Sequence, residues 1–387
     1  MTLDIVCRVV DNYGDIGVVF RLARALSELP TAPRLRLIVD DLGAFNRIEP
    51  SVDPAAPAQR VRGWTVLSWS GPTPASAAAF ELAYRGDPAR VVIECFACGR
   101  PDWLEAMLFD PACEARKTIV NLEYLTAEGY AEEFHRMPSL TRSSSVRKHM
   151  FLPGFTEKTG GLILDRAYMG ARERTRTEIL EGIGIDDGPL LEGLAGLFWI
   201  VVFGYERDYR RIVDDIAEFS RERPVLALVA HGKSAACFSR AWEGAGRPFQ
   251  ALDLPFMRQE AWDEVLVASD FLVVRGEDSM ARAALSGKPF LWQAYPQDGA
   301  HQLVKVAALL GRMRPHFSEA DFSAIEAAFL AFNDRLSDGD DVAGSERIYP
   351  LLSLGAEGRA GFEEFSESLV RNGNLASALM TFLREIV

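Results

Sequence analysis

Residues 3–18 read Leu3-Asp4-Ile5-Val6-Cys7-Arg8-Val9-Val10-Asp11-Asn12-Tyr13-Gly14-Asp15-Ile16-Gly17-Val18. The run from Leu3 to Val10 is apolar and β-branched, which predicts a buried strand. Asp11-Asn12-Tyr13-Gly14-Asp15 follows as a polar turn. From about Gly17 to Leu29, Val18, Leu22, Ala25 and Leu26 recur at helical spacing, so the chain opens with a strand, a tight turn and a helix. The same rhythm continues outward: Leu35 to Val39, Val61 to Trp69, Val91 to Phe96 and Thr118 to Leu122 read as strands separated by amphipathic stretches. A repeated βα unit predicts an α/β fold with a mostly parallel, helix-covered sheet.

From Arg136 to Gly161 the pattern changes. Arg142, Arg147, Lys148 and His149, the run Ser143-Ser144-Ser145, and the breakers Pro138, Pro153, Gly154, Gly160 and Gly161 read as loop and boundary. A helix is expected from about Tyr168 to Glu181, and Gly182 to Gly188 reads as a linker. The βα rhythm then restarts with strands at Leu197 to Phe203, Pro224 to Ala230, Phe249 to Leu252, Asp270 to Val274 and Pro289 to Trp292. Two βα series of similar size predict two Rossmann-like domains, residues 1–180 and 190–360, facing each other across a cleft. Helices are expected at about 359–371 and 376–386, the terminal segment 366–387 packing back on the first domain.

The length of 387 residues suits two or three domains. Hydrophobic residues make up 48 % and charged residues 25 %, enough apolar content for real cores. The net charge of −13 repels phosphate backbones and anionic lipid, which argues against nucleic acid and membrane partners. No apolar run reaches the ~18–20 residues of a membrane span, and Asp4 interrupts the opening apolar run. A cytoplasmic protein is expected. Five scattered cysteines, Cys7, Cys95, Cys98, Cys113 and Cys237, fit reduced thiols better than a disulfide framework.

In an open α/β sheet, ligands sit beyond the carboxyl ends of strands, so the turns there carry the chemistry. The turn at 11–17 places Asp11 and Asp15 around Asn12, Gly14 and Gly17. One carboxylate can act as a general base and the other shape the loop, or either can cap the helix. No G-x-G-x-x-G pattern is present, which argues against a conventional dinucleotide enzyme. The second turn, Arg275-Gly276-Glu277-Asp278-Ser279, joins an apolar strand to a helix expected at Met280 to Leu285. A helix start of this kind is an anion site, with contacts from backbone amides and a carboxylate turned toward sugar hydroxyls; the competing reading is that the acids only complement the helix dipole. Phe203-Gly204-Tyr205, Phe256 with Gln259, and Trp292 with Tyr295 supply strand-end aromatics on which a nucleobase can stack. Core packing is the alternative, more so for Trp292.

Cys95-Phe96-Ala97-Cys98 lacks the further ligands of a zinc site, which leaves Cys95 and Cys98 as buried thiols. His135, His149, His231, His301 and His316 form no close-spaced ligand pair, so no metal is expected, although His301 can line the cleft behind Tyr295 and Asp298. The Ser143 run reads as a solvated loop.

Taken together, Cys7-Arg8-Val9-Val10-Asp11-Asn12-Tyr13-Gly14-Asp15-Ile16-Gly17-Val18, Asn121-Leu122-Glu123-Tyr124-Leu125-Thr126-Ala127-Glu128, Leu152-Pro153-Gly154-Phe155-Thr156 through Gly160-Gly161, and Arg275-Gly276-Glu277-Asp278-Ser279 with Gly287-Lys288-Pro289-Phe290 resemble the EarP family over nearly the whole chain. These are bacterial protein-arginine rhamnosyltransferases that modify elongation factor P. The resemblance implies a GT-B fold, a dTDP-β-L-rhamnose donor held mostly by the C-terminal domain, no cofactor, and inverting transfer to one arginine of elongation factor P, the modification that activates the factor for ribosomes stalled at polyproline. It implies that Asp15 is the catalytic carboxylate and Asp11 a second essential acid. By the same resemblance Glu277, Asp278 and Ser279, with Arg275 nearby, form the diphosphate and sugar site, and Phe203, Tyr205, Phe256, Gln259 and Tyr295 contact nucleoside and sugar. Ala97-Cys98-Gly99-Arg100 departs from the family pattern. The other classes compatible with the residues alone are a GT-B enzyme with a small-molecule, glycan or lipid acceptor, and a non-catalytic nucleotide-sugar-binding protein.

Overall fold

The computed structural model describes residues 1–387 except 11–12, 75, 85–86, 89, 113–114 and 335–346, and the side chain of residue 298. The chain forms two units, Met1–Arg166 with Asn372–Val387, and Ala167–Arg371.

The first unit is built on one eight-stranded sheet. Its strands are β1 (Thr2–Cys7), β2 (Arg34–Val39), β3 (Ala58–Val61), β4 (Trp64–Ser68), β5 (Val91–Cys95), β6 (Lys117–Leu122), β7 (Pro138–Ser139) and β8 (Val146–Phe151). They lie in the order β3-β4-β2-β1-β5-β6-β8-β7. All neighbours from β4 to β8 pair parallel, and the two edges, β3 and β7, pair antiparallel. Every residue of β5 and β6 is buried, as expected of strands covered on both faces.

Three differences from the sequence reading have plain causes. The expected strand Val61 to Trp69 is a hairpin, because Arg62 (φ 50°) and Gly63 (φ 85°) both adopt the left-handed conformation of a tight two-residue turn. The stretch 136–161, read as loop, contains β7 and β8. Only Val146 and Phe151 of β8 are buried, so its apolar signal is weak, and Lys148 in its middle lies 3.6 Å from the Glu94 carboxylate. Finally, β1 stops at Cys7 instead of running to Val10, which is exposed.

The terminal segment is two helices, as expected, but the part that returns to the first unit starts at Asn372 and not at residue 366. Ala356–Arg371 belongs to the second unit and Leu375–Ile386 to the first. Leu375, Leu379, Met380, Phe382 and Leu383 of the last helix join the core formed by β1 and the first helix, Gly14–Ser27. Asn374 fixes its start: the side chain accepts from the Ala376 N–H (3.0 Å) and donates to the Leu164 carbonyl (2.7 Å). Residues 161 and 373 pass so closely that a Cβ on Gly161 would stand 2.6 Å from the Gly373 carbonyl oxygen, so glycine is required there.

His135 in this unit accepts the Leu152 N–H at Nδ1 (3.2 Å) and packs on Phe151. Burial, helped by the neighbouring Arg136 charge, lowers its pKa from 6.5 to about 4. The unfolded chain therefore binds one more proton between these values, and stability rises with pH across that window and is lost as pH falls through it. Thermal melts at pH 4.5 and 7 are expected to differ less for His135→Gln than for the native chain; equal differences would remove His135 from the acid response.

The second unit holds a five-stranded, wholly parallel sheet of β9 (Phe198–Val202), β10 (Val225–Val229), β11 (Gln250–Asp253), β12 (Phe271–Arg275) and β13 (Phe290–Gln293), ordered β11-β10-β9-β12-β13. The unit begins at Ala167, earlier than the 180–190 boundary read from the sequence. The breakers at 182–188 separate two helices, Arg176–Gly182 and Gly188–Ala195, of this one unit. Arg176 ties the first of them to the sheet through the Ala268 and Leu197 carbonyls (2.9 and 2.8 Å) and Asp270 (2.8 Å). The helix Glu277–Ser286 is anchored at its far end, where the Leu285 carbonyl accepts from Tyr168, Arg172 and Ser366.

Candidate active site

In the first unit the chain runs from β1 to β2 on one side and places β5 and β6 on the other. The switch point between β1 and β5 is where an open parallel sheet leaves a crevice beyond its strand ends. Asp15 stands there as the second residue of the helix Gly14–Ser27 and is 3 % exposed. It is not the N-cap, as one reading of the sequence had it; Tyr13 is, and makes no side-chain cap bond. The Asp15 carboxylate instead reaches back, its Oδ2 accepting the Val10 N–H (2.8 Å) and its Oδ1 accepting the Tyr124 hydroxyl (2.8 Å). The positive end of the helix dipole adds to the stabilisation of its charge. Gly14 opens the helix and Gly17 lies within its first turns, its N–H bonded to the Tyr13 carbonyl (2.9 Å), so Gly17 is not part of the turn. Asp11 and Asn12 lie outside the described residues.

Tyr124 follows β6, and its ring stacks on Phe96, which follows β5 (centroids 4.3 Å apart, planes 13°). The sequence signal for either was only the family-like segment around Tyr124 and the position of both just past strand ends. Nearby Cys7 and Cys95 are buried, which pushes their thiols well up, and Cys98 is raised to about 11, mainly by burial. All three are protonated at neutral pH, unsuited to nucleophilic or ligand roles. Cys113 lies outside the described residues. Among the described residues no group of three His, Cys, Asp or Glu side chains is placed to hold a metal ion.

The second unit has its own switch point, between β9 and β12. Arg275 closes β12, and Gly276, at φ 70° and ψ 162°, turns the chain into the helix Glu277–Ser286. Glu277, Asp278 and Ser279 are therefore the first three helical residues, three positions earlier than expected, and the N-cap, Gly276, has no side chain with which to cap that helix. The first backbone N–H groups of a helix have no intrahelical acceptor and carry its partial positive charge. Lys305, which the sequence reading missed, lies 3.3 Å from the Glu277 carboxylate.

The aromatics assemble around Arg275. Its guanidinium carbon is 4.7 Å from the ring centroids of both Phe203 and Tyr205. Tyr205 meets Tyr295 edge to face (5.4 Å), and Phe203 meets Trp262 likewise (5.3 Å). Tyr295 and Phe256 are about half exposed, at 53 % and 52 %. Gln259 begins the helix that carries Trp262, one turn on, which links the end of β11 to the group around Arg275. Gly204 holds the Phe203-Gly204-Tyr205 segment in place: its N–H donates to Ser234 Oγ (3.1 Å), the Tyr205 N–H donates to Gln293 Oε1 (2.8 Å), and a Cβ at 204 would fall 2.2 Å from the Tyr209 hydroxyl. Trp292 is buried in the sheet core.

Two Rossmann-like units, each with polar and aromatic residues gathered at its switch point, are the architecture of the GT-B fold, the fold of many glycosyltransferases. A solved structure described as the structural basis for EarP-mediated arginine glycosylation of translation elongation factor EF-P matches over 100 % of this chain and 99 % of that one, at a TM-score of 0.61 and 24 % identity. Sucrose-phosphate synthase from Thermosynechococcus elongatus matches over 100 % and 99 % at a TM-score of 0.53 and 10 % identity. The model of the family "Elongation-Factor P (EF-P) rhamnosyltransferase EarP" matches residues 3–384, and the chain belongs to that family. It is an enzyme, a protein-arginine rhamnosyltransferase. Relatives of that name in Pseudomonas putida and Shewanella oneidensis are 35 % and 34 % identical, over 99 % of this chain and 98 % of the first relative, and over 79 % of this chain and of the second.

Proposed function

We propose that the enzyme transfers L-rhamnose from dTDP-β-L-rhamnose to an arginine of elongation factor P, with inversion at the anomeric carbon. The observation that carries the reading is the buried Asp15 carboxylate, held by the Val10 N–H and the Tyr124 hydroxyl at a strand-end switch point in a member of this family. A guanidinium has a pKa of ~12.5–13.8 against ~3.9 for an ordinary aspartate, so removing its proton before attack would cost about 12 kcal/mol. Asp15 therefore orients the guanidinium through charge-assisted hydrogen bonds and takes the proton late, as the C–N bond forms and the bond from the anomeric carbon to the diphosphate oxygen breaks. Asp11 is assigned as the second acid of the loop.

The leaving diphosphate gains negative charge. The N–H groups at the start of the helix Glu277–Ser286 and the Arg275 guanidinium stabilise it, and Ser279 adds a hydroxyl. Glu277 and Asp278 turn toward sugar hydroxyls, and Phe203, Tyr205, Phe256, Gln259 and Tyr295 hold the nucleoside and sugar. The scheme assigns the charge stabilisation to protein groups and uses no cofactor. Among the described residues no helix is long and apolar enough to cross a membrane; a cytoplasmic location follows from a translation factor as acceptor. Incubation with dTDP-rhamnose and elongation factor P should add the mass of one deoxyhexose to the factor, located by fragmentation on an arginine. No mass gain with that pair, or modification of a lysine-substituted acceptor, would refute the assignment.

A further inference from the structure

The loop that follows β5 is held in a conformation that its residues disfavour. Phe96 (φ 58°) and Ala97 (φ 51°) are both left-handed although neither is glycine, and Gly99 (φ 74°) completes the bend. Such backbone persists only where the surroundings over-determine it, and it concentrates at functional sites. Here the surroundings are explicit. The Phe96 N–H donates to the Leu122 carbonyl (2.7 Å), the Cys98 N–H to the Cys95 carbonyl (3.1 Å), and the Gly99 N–H to Glu94 Oε1 (3.1 Å), while Arg100 pairs with both Glu94 and Glu105. The product of this arrangement is one placement: the Phe96 ring lies flat under Tyr124.

Tyr124 is 44 % exposed, too open for burial alone to fix its rotamer. The stack on Phe96 and the bond to Asp15 Oδ1 fix it. In return, the hydroxyl holds Oδ1 while the Val10 N–H holds Oδ2, and because the terminal torsion of an aspartate is broad, a donor on Oδ1 helps to set the plane of the carboxylate. We infer that Tyr124, levelled by Phe96, is a positioning residue that orients the Asp15 carboxylate toward the acceptor guanidinium. The inference rests on the reading of Asp15 as the catalytic carboxylate.

Tyr124→Phe keeps the stack and removes only the hydroxyl. It should lower kcat about 10- to 100-fold, the scale of a small misplacement of a reacting group, with KM for dTDP-rhamnose and the melting temperature unchanged. Phe96→Leu keeps the hydroxyl and removes the stack, so it should give a smaller loss of kcat, and Phe96→Tyr should restore the native rate. Native kcat in Tyr124→Phe, beside an inactive Asp15→Asn, overturns the inference and leaves the role of Asp15 standing. A loss in Tyr124→Phe matched by a lower melting temperature or weaker donor binding also overturns it, as a purely structural effect. An active Asp15→Asn removes the reading itself, and the inference with it.

Discussion

Asp15→Asn is expected to lower turnover by about 10²–10⁴-fold, the range typical of a lost general base, while leaving dTDP-rhamnose binding within about twofold of native. The substitution is nearly isosteric. The amide oxygen can still accept the Val10 N–H, and the amide nitrogen can donate to the Tyr124 oxygen, so the two contacts that seat the side chain at 2.8 Å survive in altered polarity. What disappears is the negative charge and the ability to accept a proton from the attacking nitrogen. Donor affinity should not follow, because the proposed donor groups all belong to the second unit. Single-turnover kinetics with calorimetric titration of the donor separates the two quantities. Parallel loss of donor affinity, or turnover within tenfold of native, would sink the base assignment.

Arg275→Met is expected to weaken dTDP binding by about 10- to 150-fold, with a smaller effect on kcat at saturating donor. The methionine side chain fills much of the slot between Phe203 and Tyr205, 4.7 Å from each ring, so the aromatic packing is largely kept and the charge is removed. Hydrogen bonds to charged groups contribute about 1.5–3 kcal/mol, which converts to that range of affinity. Arg275→Lys should rescue only weakly, because a flexible ammonium lacks the planar face that both rings cover and the fork that grips two phosphate oxygens. Titration with dTDP alone measures the effect. An unchanged dissociation constant in Arg275→Met would leave the guanidinium as packing between two rings.

The strand ends were legible from short apolar runs, and Asp15, Arg275 and the acids at 277–279 stand out in the sequence because they closely follow such runs. Tyr124 carries a sequence signal only as part of a family-like segment. Its partner Asp15 is 109 residues away in sequence, and no local pattern encodes a stack between the ends of two different strands. Lys305 and Trp262 were missed for the same reason, since each meets its partner across separate elements. The hairpin at 58–68 was misread because the Arg62-Gly63 turn interrupts it and its edge strand β3 buries only Val61, and the strand at 146–151, one in from the edge strand β7, buries only Val146 and Phe151 and so leaves little apolar signal.

Local chemistry in the sequence determined the βα rhythm, the two-domain length, and which turns could hold an anion or a base, because apolar periodicity and turn residues act over a few positions. Only the tertiary structure decided where the units divide and which residues complete each site. The breakers at 182–188 mark a turn inside one unit, whereas the true division follows core formation, which draws the last helix, 375–386, back onto the first helix of the chain. The same long-range packing turns Asp15 from a possible helix cap into a carboxylate gripped by Val10 and Tyr124, since parallel strands bring the ends of β1, β5 and β6 together regardless of their distance along the chain.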